Sequence, residues 1–331
     1  MNSNRCSMIA AGVAGVVLGI AGFAFPAHAQ YPNRPITLII SFAAGGPTDT
    51  IGRIAADHMS RTLGQPIVIE NVVGAGGTTG VTRGATSAPD GYTITYGHMG
   101  SHGAAPALYP NLKYDPVADF EPVGMIASTP VVIVAKPGSS AANLGEFMAY
   151  ARANKDSITT AHAGIGSVSH VSGLLLNSLL GIKPPAVAYR GTGPALNDLI
   201  GGQFDFMCDQ IANVASQVQG GRIKALAIAT AERSPALPDL PTAREAGLAN
   251  FEVSSWNALF VPKGTPPEIV AALNAALGRA LDDPATRQRL LDIGNIIPTP
   301  AERTQQALGK FVSAEVARWT PILKAAGVSA N

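Results

Sequence analysis

From residue 36 to residue 53 the chain reads Ile-Thr-Leu-Ile-Ile-Ser-Phe-Ala-Ala-Gly-Gly-Pro-Thr-Asp-Thr-Ile-Gly-Arg, and few architectures accommodate that order. Its first five residues are apolar and mostly β-branched, which suits the interior of a parallel sheet. Gly45 and Gly46 then turn the chain, Pro47 presets φ for an early helical position, and Thr48 or Asp49 is placed to cap. Ile51, Ile54, Ala55, His58 and Met59 follow at helical spacing. Free backbone N–H groups at such a helix start favour a carboxylate or phosphate without any lysine or arginine. An ordinary strand-to-helix connection is the alternative that the local sequence leaves open.

The same order of run, glycine turn and amphipathic segment recurs along the chain. Strands are expected at 67–71 and 92–96, with glycine-rich turns at 74–80 and 97–101 and a helix at 81–88 between them. A proline-rich irregular stretch, 106–122, precedes a strand at 131–134 and a helix at 144–153. Further strands are expected at 158–161, 186–189, 204–208 and 223–230. Helices follow from near His170, at 195–200 and at 212–219, with a short one among the prolines of 235–249. After a return strand at 252–260, Pro266, Pro284 and Pro300 are expected to open three helices, the last ending near Ala325 and packing on the first lobe. Alternating strands and helices imply an α/β fold with mainly parallel pairing. Two lobes are expected, one from 30–127 and 252–331 and the other from 128–251, with a ligand in the cleft between them.

The amino terminus has the form of a secretory signal peptide: Arg5, an apolar run at 10–25, then Ala27-His28-Ala29 before Gln30, with cleavage expected after Ala29. Cys6 precedes the apolar core, which leaves no acceptor suitably placed for a lipid anchor. The expected product is a periplasmic chain carrying 22 basic and 22 acidic residues. That balance argues against nucleic acid or an anionic membrane as partner, since both call for clustered cations. Cys208 is the single cysteine beyond the leader, so no internal disulfide and no cysteine metal cluster is expected.

Catalytic patterns are weak. The hydrolase string Gly-x-Ser-x-Gly is absent, and Ser167 or Ser169 beside His170 suits a helix cap better than a dyad. Five histidines after the leader, His58, His98, His102, His162 and His170, are scattered, and the glycines around His98 and His102 argue against one helix carrying both. Neither a metal nor a cofactor is expected. Several Gly, Ser and Thr loops at strand ends suit a small acidic solute, whereas sugars call for stacked aromatics and only 6% of the chain is aromatic.

A set of spaced strings carries a family resemblance: Tyr31-Pro32-x-x-Pro35-Ile36, Gly45-Gly46-x-x-Asp49, Glu70-Asn71, Gly74-Ala75-Gly76-Gly77, Ala88-Pro89-Asp90-Gly91-Tyr92, Tyr189-x-Gly191, Asp198-Leu199-x-Gly201-Gly202, Arg233-Ser234-Pro235 and Gly264-Thr265-Pro266. The chain resembles the Bordetella uptake gene receptors, the periplasmic solute-binding proteins of tripartite tricarboxylate transporters. The resemblance implies a two-lobed, type II-like periplasmic binding protein that is not an enzyme, is monomeric, and passes a small organic carboxylate, a dicarboxylate above all, to membrane transporter subunits. A ligand sensor working with a two-component system is the alternative, and a secreted serine hydrolase a more distant one. Carried over by residue, the resemblance puts Phe42, Gly46, Thr48 and Asp49 in a first ligand-binding loop, Ala75 and Gly76 in a second, and His98 at the third strand end, with Asp49 expected to cap the helix and orient loop or water while backbone donors hold the ligand. The second lobe is implied to supply Ser167, Ser169, His170, Arg190, Thr192, Gly193 and Asp209. Arg190 stands where the family pattern prefers lysine, and His98-Met99 replaces smaller residues.

Overall fold

A computed structural model describes residues 31–327, so the expected leader and its cleavage after Ala29 lie outside the described residues. Strands β1 (Ile36–Ile40), β2 (Ile67–Asn71) and β3 (Thr93–His98) run parallel, as their β-branched runs imply. A second parallel set comprises β5 (Thr160–His162), β6 (Ala186–Ala188) and β7 (Phe206–Gln210). Antiparallel strands join the two sets: β4 (Phe120–Ala135), β8 (Lys224–Ile228) and β9 (Ser254–Pro262). The strand order is β2-β1-β3-β9-β4-β7-β5-β6, with β8 also on β4. The α/β expectation holds, with mixed sheets in place of mainly parallel ones.

The sixteen residues of β4 serve two ladders. Up to Pro130, opposite Ser254, the strand pairs with β9; from Val131, opposite Gln210, it pairs with β7. Pro130 has no N–H to give a ladder, and the partners change at that residue. Because β3 and β4 are each antiparallel to β9, the first parallel set runs the same way as β4. The second set runs against β4, through β7. The carboxyl ends of the two sets therefore point at each other. His98 is opposite Asn257, which is opposite Ala127, while Gln210 is opposite Val131. Four residues of strand, roughly 13 Å at ~3.3 Å per residue, separate the two fronts of loops.

Helices cover these sheets. Helix α1 (Pro47–Leu63) packs on α8 (Pro267–Asp282) and α9 (Pro284–Asp292). Between β2 and β4 lie α2 (Thr78–Ala85) and the one-turn α3 (Ala105–Leu108). The second set carries α4 (Leu144–Ala153), α5 (Val168–Leu180), α6 (Thr192–Ile200) and α7 (Ile211–Gln219). Helix α10 (Gln305–Ala326) contacts β4 and α3 and also reaches α5, so its packing is not confined to the first lobe as expected. No described helix is long and apolar enough to cross a membrane.

Three local expectations are corrected. The stretch expected as a turn at 97–101 contains the start of a π-helical turn, Met99–Ala104, that carries His102; His98 ends β3 as the extended N-cap of that turn, so the expectation that no one helix carries both histidines holds. Gly97 and Gly100 are there for proximity: a Cβ at Gly97 would lie 2.6 Å from the His102 ring, and one at Gly100 2.5 Å from the Gly166 carbonyl. The last helix opens at Gln305, because Thr304 accepts the Ala307 amide at 3.1 Å while Thr299 and Glu302 close a separate turn after Pro298. Residues 235–249 form turns in place of a short helix, tied to β8 by an Ile228–Thr242 bridge.

Both tryptophans converge on one acid. Trp256 of β9 and Trp319 of α10 each donate an indole N–H to Glu315 Oε2, at 2.9 and 3.0 Å, and all three residues are buried. The acid ties the tail helix to β9, the strand between β3 and β4. Glu315→Ala leaves two buried indole donors unmet, and at ~1–3 kcal/mol for each group we expect a loss of about 3 kcal/mol, read as a lower urea midpoint at unchanged slope.

Candidate functional site

The loop after β1 is set by Asp49. Gly46 is the N-cap of α1 and supplies no side chain, and Pro47 follows it, so neither Thr48 nor Asp49 occupies the cap. The Asp49 carboxylate instead reaches back to the Gly45 amide at 2.9 Å and also accepts from Arg53 Nε at 2.8 Å and Asn71 Nδ2 at 2.9 Å. Asn71, at the end of β2, donates to the Phe42 carbonyl at 2.8 Å as well. Burial by itself would raise the Asp49 carboxyl, but the bonds from Arg53, Gly45 and Asn71 outweigh it and hold the pKa below the ordinary range. With its oxygens engaged inside the protein, Asp49 is a latch between two loops. The first-turn N–H groups of α1 keep no side-chain cap and remain available.

Gly74 to Gly77 all have positive φ, including Ala75 at 43°, which is the one such non-glycine residue among those described. That strained backbone forms a single 3-10 turn, Ala75–Gly77, closed by Gly77 N–H to the Gly74 carbonyl at 2.8 Å. Ala75 is exposed. A Cβ on Gly76 would strike the Tyr109 hydroxyl and lie 2.9 Å from the Ile165 carbonyl, so the second loop already abuts the loop after β5.

At the end of β3, His98 Nδ1 accepts the Gly100 amide at 2.8 Å and the ring lies 4.8 Å from that of Phe42. The proton therefore resides on Nε2, which is buried and finds no acceptor. Burial lowers the pKa of His98 to about 4. Its neighbour His102 stacks on Phe260 at 4.2 Å, and burial followed by the charge of His98 lowers it to about 3.

In the loop after β5, Ser167 caps α5 by accepting the His170 amide at 3.2 Å, and Ser169 accepts the Ala163 amide at 2.8 Å. His170 Nδ1 is occupied by the Gly166 amide at 3.2 Å. No serine hydroxyl bonds to the His170 ring among the described residues; these three side chains hold the amides of the loop. After β6, Gly191 at φ 111° starts α6 without a side-chain cap, so the Thr192 and Gly193 amides form a second open helix terminus. Arg190 beside them is exposed and forms no ion pair among the described residues. Asp209, at the end of β7, is buried and accepts from the Thr192 hydroxyl, Asn213 Nδ2 and the Gln210 amide at 2.8, 2.8 and 2.6 Å. Burial raises its pKa although those bonds oppose it. His170 is not among its partners.

The structure thus brings the sequence-named residues to two facing fronts and sorts them. Phe42, Gly46, Thr48, Ala75, Gly76, His98, Arg190, Thr192 and Gly193 lie on loops or helix starts at strand ends. Asp49, Ser167, Ser169 and Asp209 hold those loops from behind. Sequence reasoning gave no role to Arg53, Asn71 or Asn213; the four-residue steps from Asp49 to Arg53 and from Asp209 to Asn213 were the available signals. No cluster of potential metal ligands occurs among the described residues.

Two predictions follow from this electrostatic arrangement. His98 and His102 are held neutral in the folded protein while the unfolded chain protonates them near pH 6.5, so stability is full above that pH and falls as the pH drops toward about 4. Each contributes a slope approaching ~1.4 kcal/mol per pH unit. Urea titrations from pH 7 to 4.5 should show it, and His102→Phe should remove about one proton's share. Asp49→Asn weakens the acceptor for the Gly45 amide and Arg53; ~1–2 kcal/mol of stability is expected to go, with faster amide exchange at residues 43–46.

Comparison with known proteins agrees with this fold. The chain is similar to MatC from Rhodopseudomonas palustris with bound malate, at 49% identity and TM-score 0.81 over 88% of this chain and 100% of that one. The periplasmic binding protein BugD is 42% identical at TM-score 0.81, over 90% and 99% of the two chains. Protein BugT of Bordetella pertussis is 33% identical over 95% of this chain and 96% of its own length. The model of the tripartite tricarboxylate transporter family receptor matches residues 51–328, and the chain belongs to that family of periplasmic binding receptors.

Proposed function

We propose that this protein binds a small organic dicarboxylate in the cleft between two lobes and delivers it from the periplasm to a tripartite membrane transporter. The reading rests on one observation above all: two helix termini without side-chain caps, at Gly46 and Gly191, belong to loop fronts that face each other. Each offers partial positive charge and free amides to one carboxylate. The neutral His98 donor and the exposed Arg190 add a hydrogen bond and a charge. The malate bound to MatC, a relative sharing half of its residues with this chain, supports the ligand class. In this reading 128–251 forms one lobe and the rest of the mature chain the other, with the crossing strands β4 and β9 as the hinge. Asp49 and Asp209 position the donors and keep their own charges away from the ligand.

Calorimetry of ligand-free, folded protein against mono- and dicarboxylates tests this: dicarboxylates are expected to bind best, and silence across the panel refutes it. Arg190→Ala is expected to weaken binding about tenfold, the worth of one charge-assisted contact of ~1.4 kcal/mol. Gly46→Leu, which places a side chain over the α1 terminus at an ordinary φ of −78°, is expected to abolish it without a loss of thermal stability.

A further inference from the structure

Gly173 sits in the middle of α5, buried, with helical backbone, and a Cβ built on it meets nothing within 4 Å. Glycine is the poorest helix former short of proline, and in a buried helix it ordinarily admits a close neighbour. Here no neighbour approaches. The residue faces a cavity of about 280 Å³ bounded by α5, β5, the start of β6 and the end of α10, whose lining takes in none of the first-lobe loop residues.

The walls of this cavity are apolar along their length and polar at two ends. Ala161, Leu174, Ile182, Pro184 and Ala325 provide the apolar part. At one end the His162 and His170 rings lie 4.3 Å apart. Each Nδ1 accepts a backbone amide, from Gly164 and Gly166, so each Nε2 carries its proton and has no bonded acceptor among the described residues. At the other end Asn177 Oδ1 is buried without a partner, and Lys183 forms no ion pair among the described residues. His170 and Asn177 are two helical turns apart, roughly 10 Å.

We propose that this cavity is a second ligand site for an elongated acid with an acceptor group at each end, of the class of α,ω-dicarboxylates of about six to eight carbons by that length. One carboxylate meets the Lys183 ammonium, the methylene chain runs past Leu174 and Gly173, and the far carboxylate accepts from the two histidine Nε2–H groups. A wholly apolar occupant would leave these donors and Asn177 unmet. Lys183, drawn in by the carboxylate, can also donate to Asn177. Because the end of α10 forms one wall, occupancy joins the tail helix to α5.

Suberate is the probe. Calorimetry on the full chain is expected to show a binding event that Gly46→Leu leaves in place and that Gly173→Leu, whose Cβ meets no atom within 4 Å and whose side chain enters the cavity, removes at unchanged thermal stability. Lys183→Ala, a substitution at an exposed residue, is expected to weaken the same event at least tenfold, and it decides the matter if the leucine variant does not fold. An isotherm without such an event, or one that Gly173→Leu in folded form or Lys183→Ala leaves unaltered, overturns the proposal. Failure of the cleft reading is told apart from this, since it removes the Gly46-sensitive event alone.

Discussion

The exchange of partners along β4 is the constraint on which the rest of this molecule depends. One strand completes two sheets, and its ladder changes from β9 to β7 beside Pro130, a residue that cannot donate. Antiparallel pairing on both sides then turns the carboxyl ends of the two parallel sets toward each other. Loops that would be unrelated in separate domains become opposing fronts. The crossing is stiffened by buried polar links: Asn257 donates to the Ser255 carbonyl at 3.0 Å, Thr129 to Asn295 at 2.6 Å, and Ser128 and Ile296 exchange backbone bonds. Such groups are stable only when fully paired, which favours one arrangement of the strands over near alternatives.

A division of labour runs through the loop fronts. The two acids named at the loop fronts face inward, where Asp49 and Asp209 each gather three hydrogen bonds. What faces outward is backbone, with the exposed Arg190, while His98 stays buried with an unmet Nε2–H. A buried acid engaged by several donors can fix a loop without repelling an anion a few ångströms away, because its charge is already met. Two helix termini stay without side-chain caps, and the partial positive charge there derives from aligned peptide dipoles and not from residue identity.

Much of the architecture was legible from residue order. β-Branched runs placed most strands within two residues, glycine turns marked their ends, and proline openings marked α8 and α9. The errors have local causes. Glycines at 97, 100 and 103 read as loop, yet Gly97 and Gly100 allow close packing within and around a π-helical turn. Pro300 read as a helix start, but the Thr304 cap five residues from the turn at Pro298 and Thr299 won that competition. In the site, loop positions were legible and side-chain duties were not, because whether Asp49 faces ligand or Asn71 depends on where β2 ends relative to β1.

By itself the sequence determined that this is an α/β chain with phosphate- or carboxylate-sized nests at strand ends, since periodicity and glycine placement are properties of short segments. It also determined near-neutral charge, which leaves electrostatic attraction to backbone and to single residues. Tertiary structure alone decided which nests confront each other, which acids are spent as latches, and that His98 keeps an unmet donor. Those outcomes depend on strand register, and register is fixed by burial across the whole sheet, where one residue of slip would turn every side chain to the opposite face.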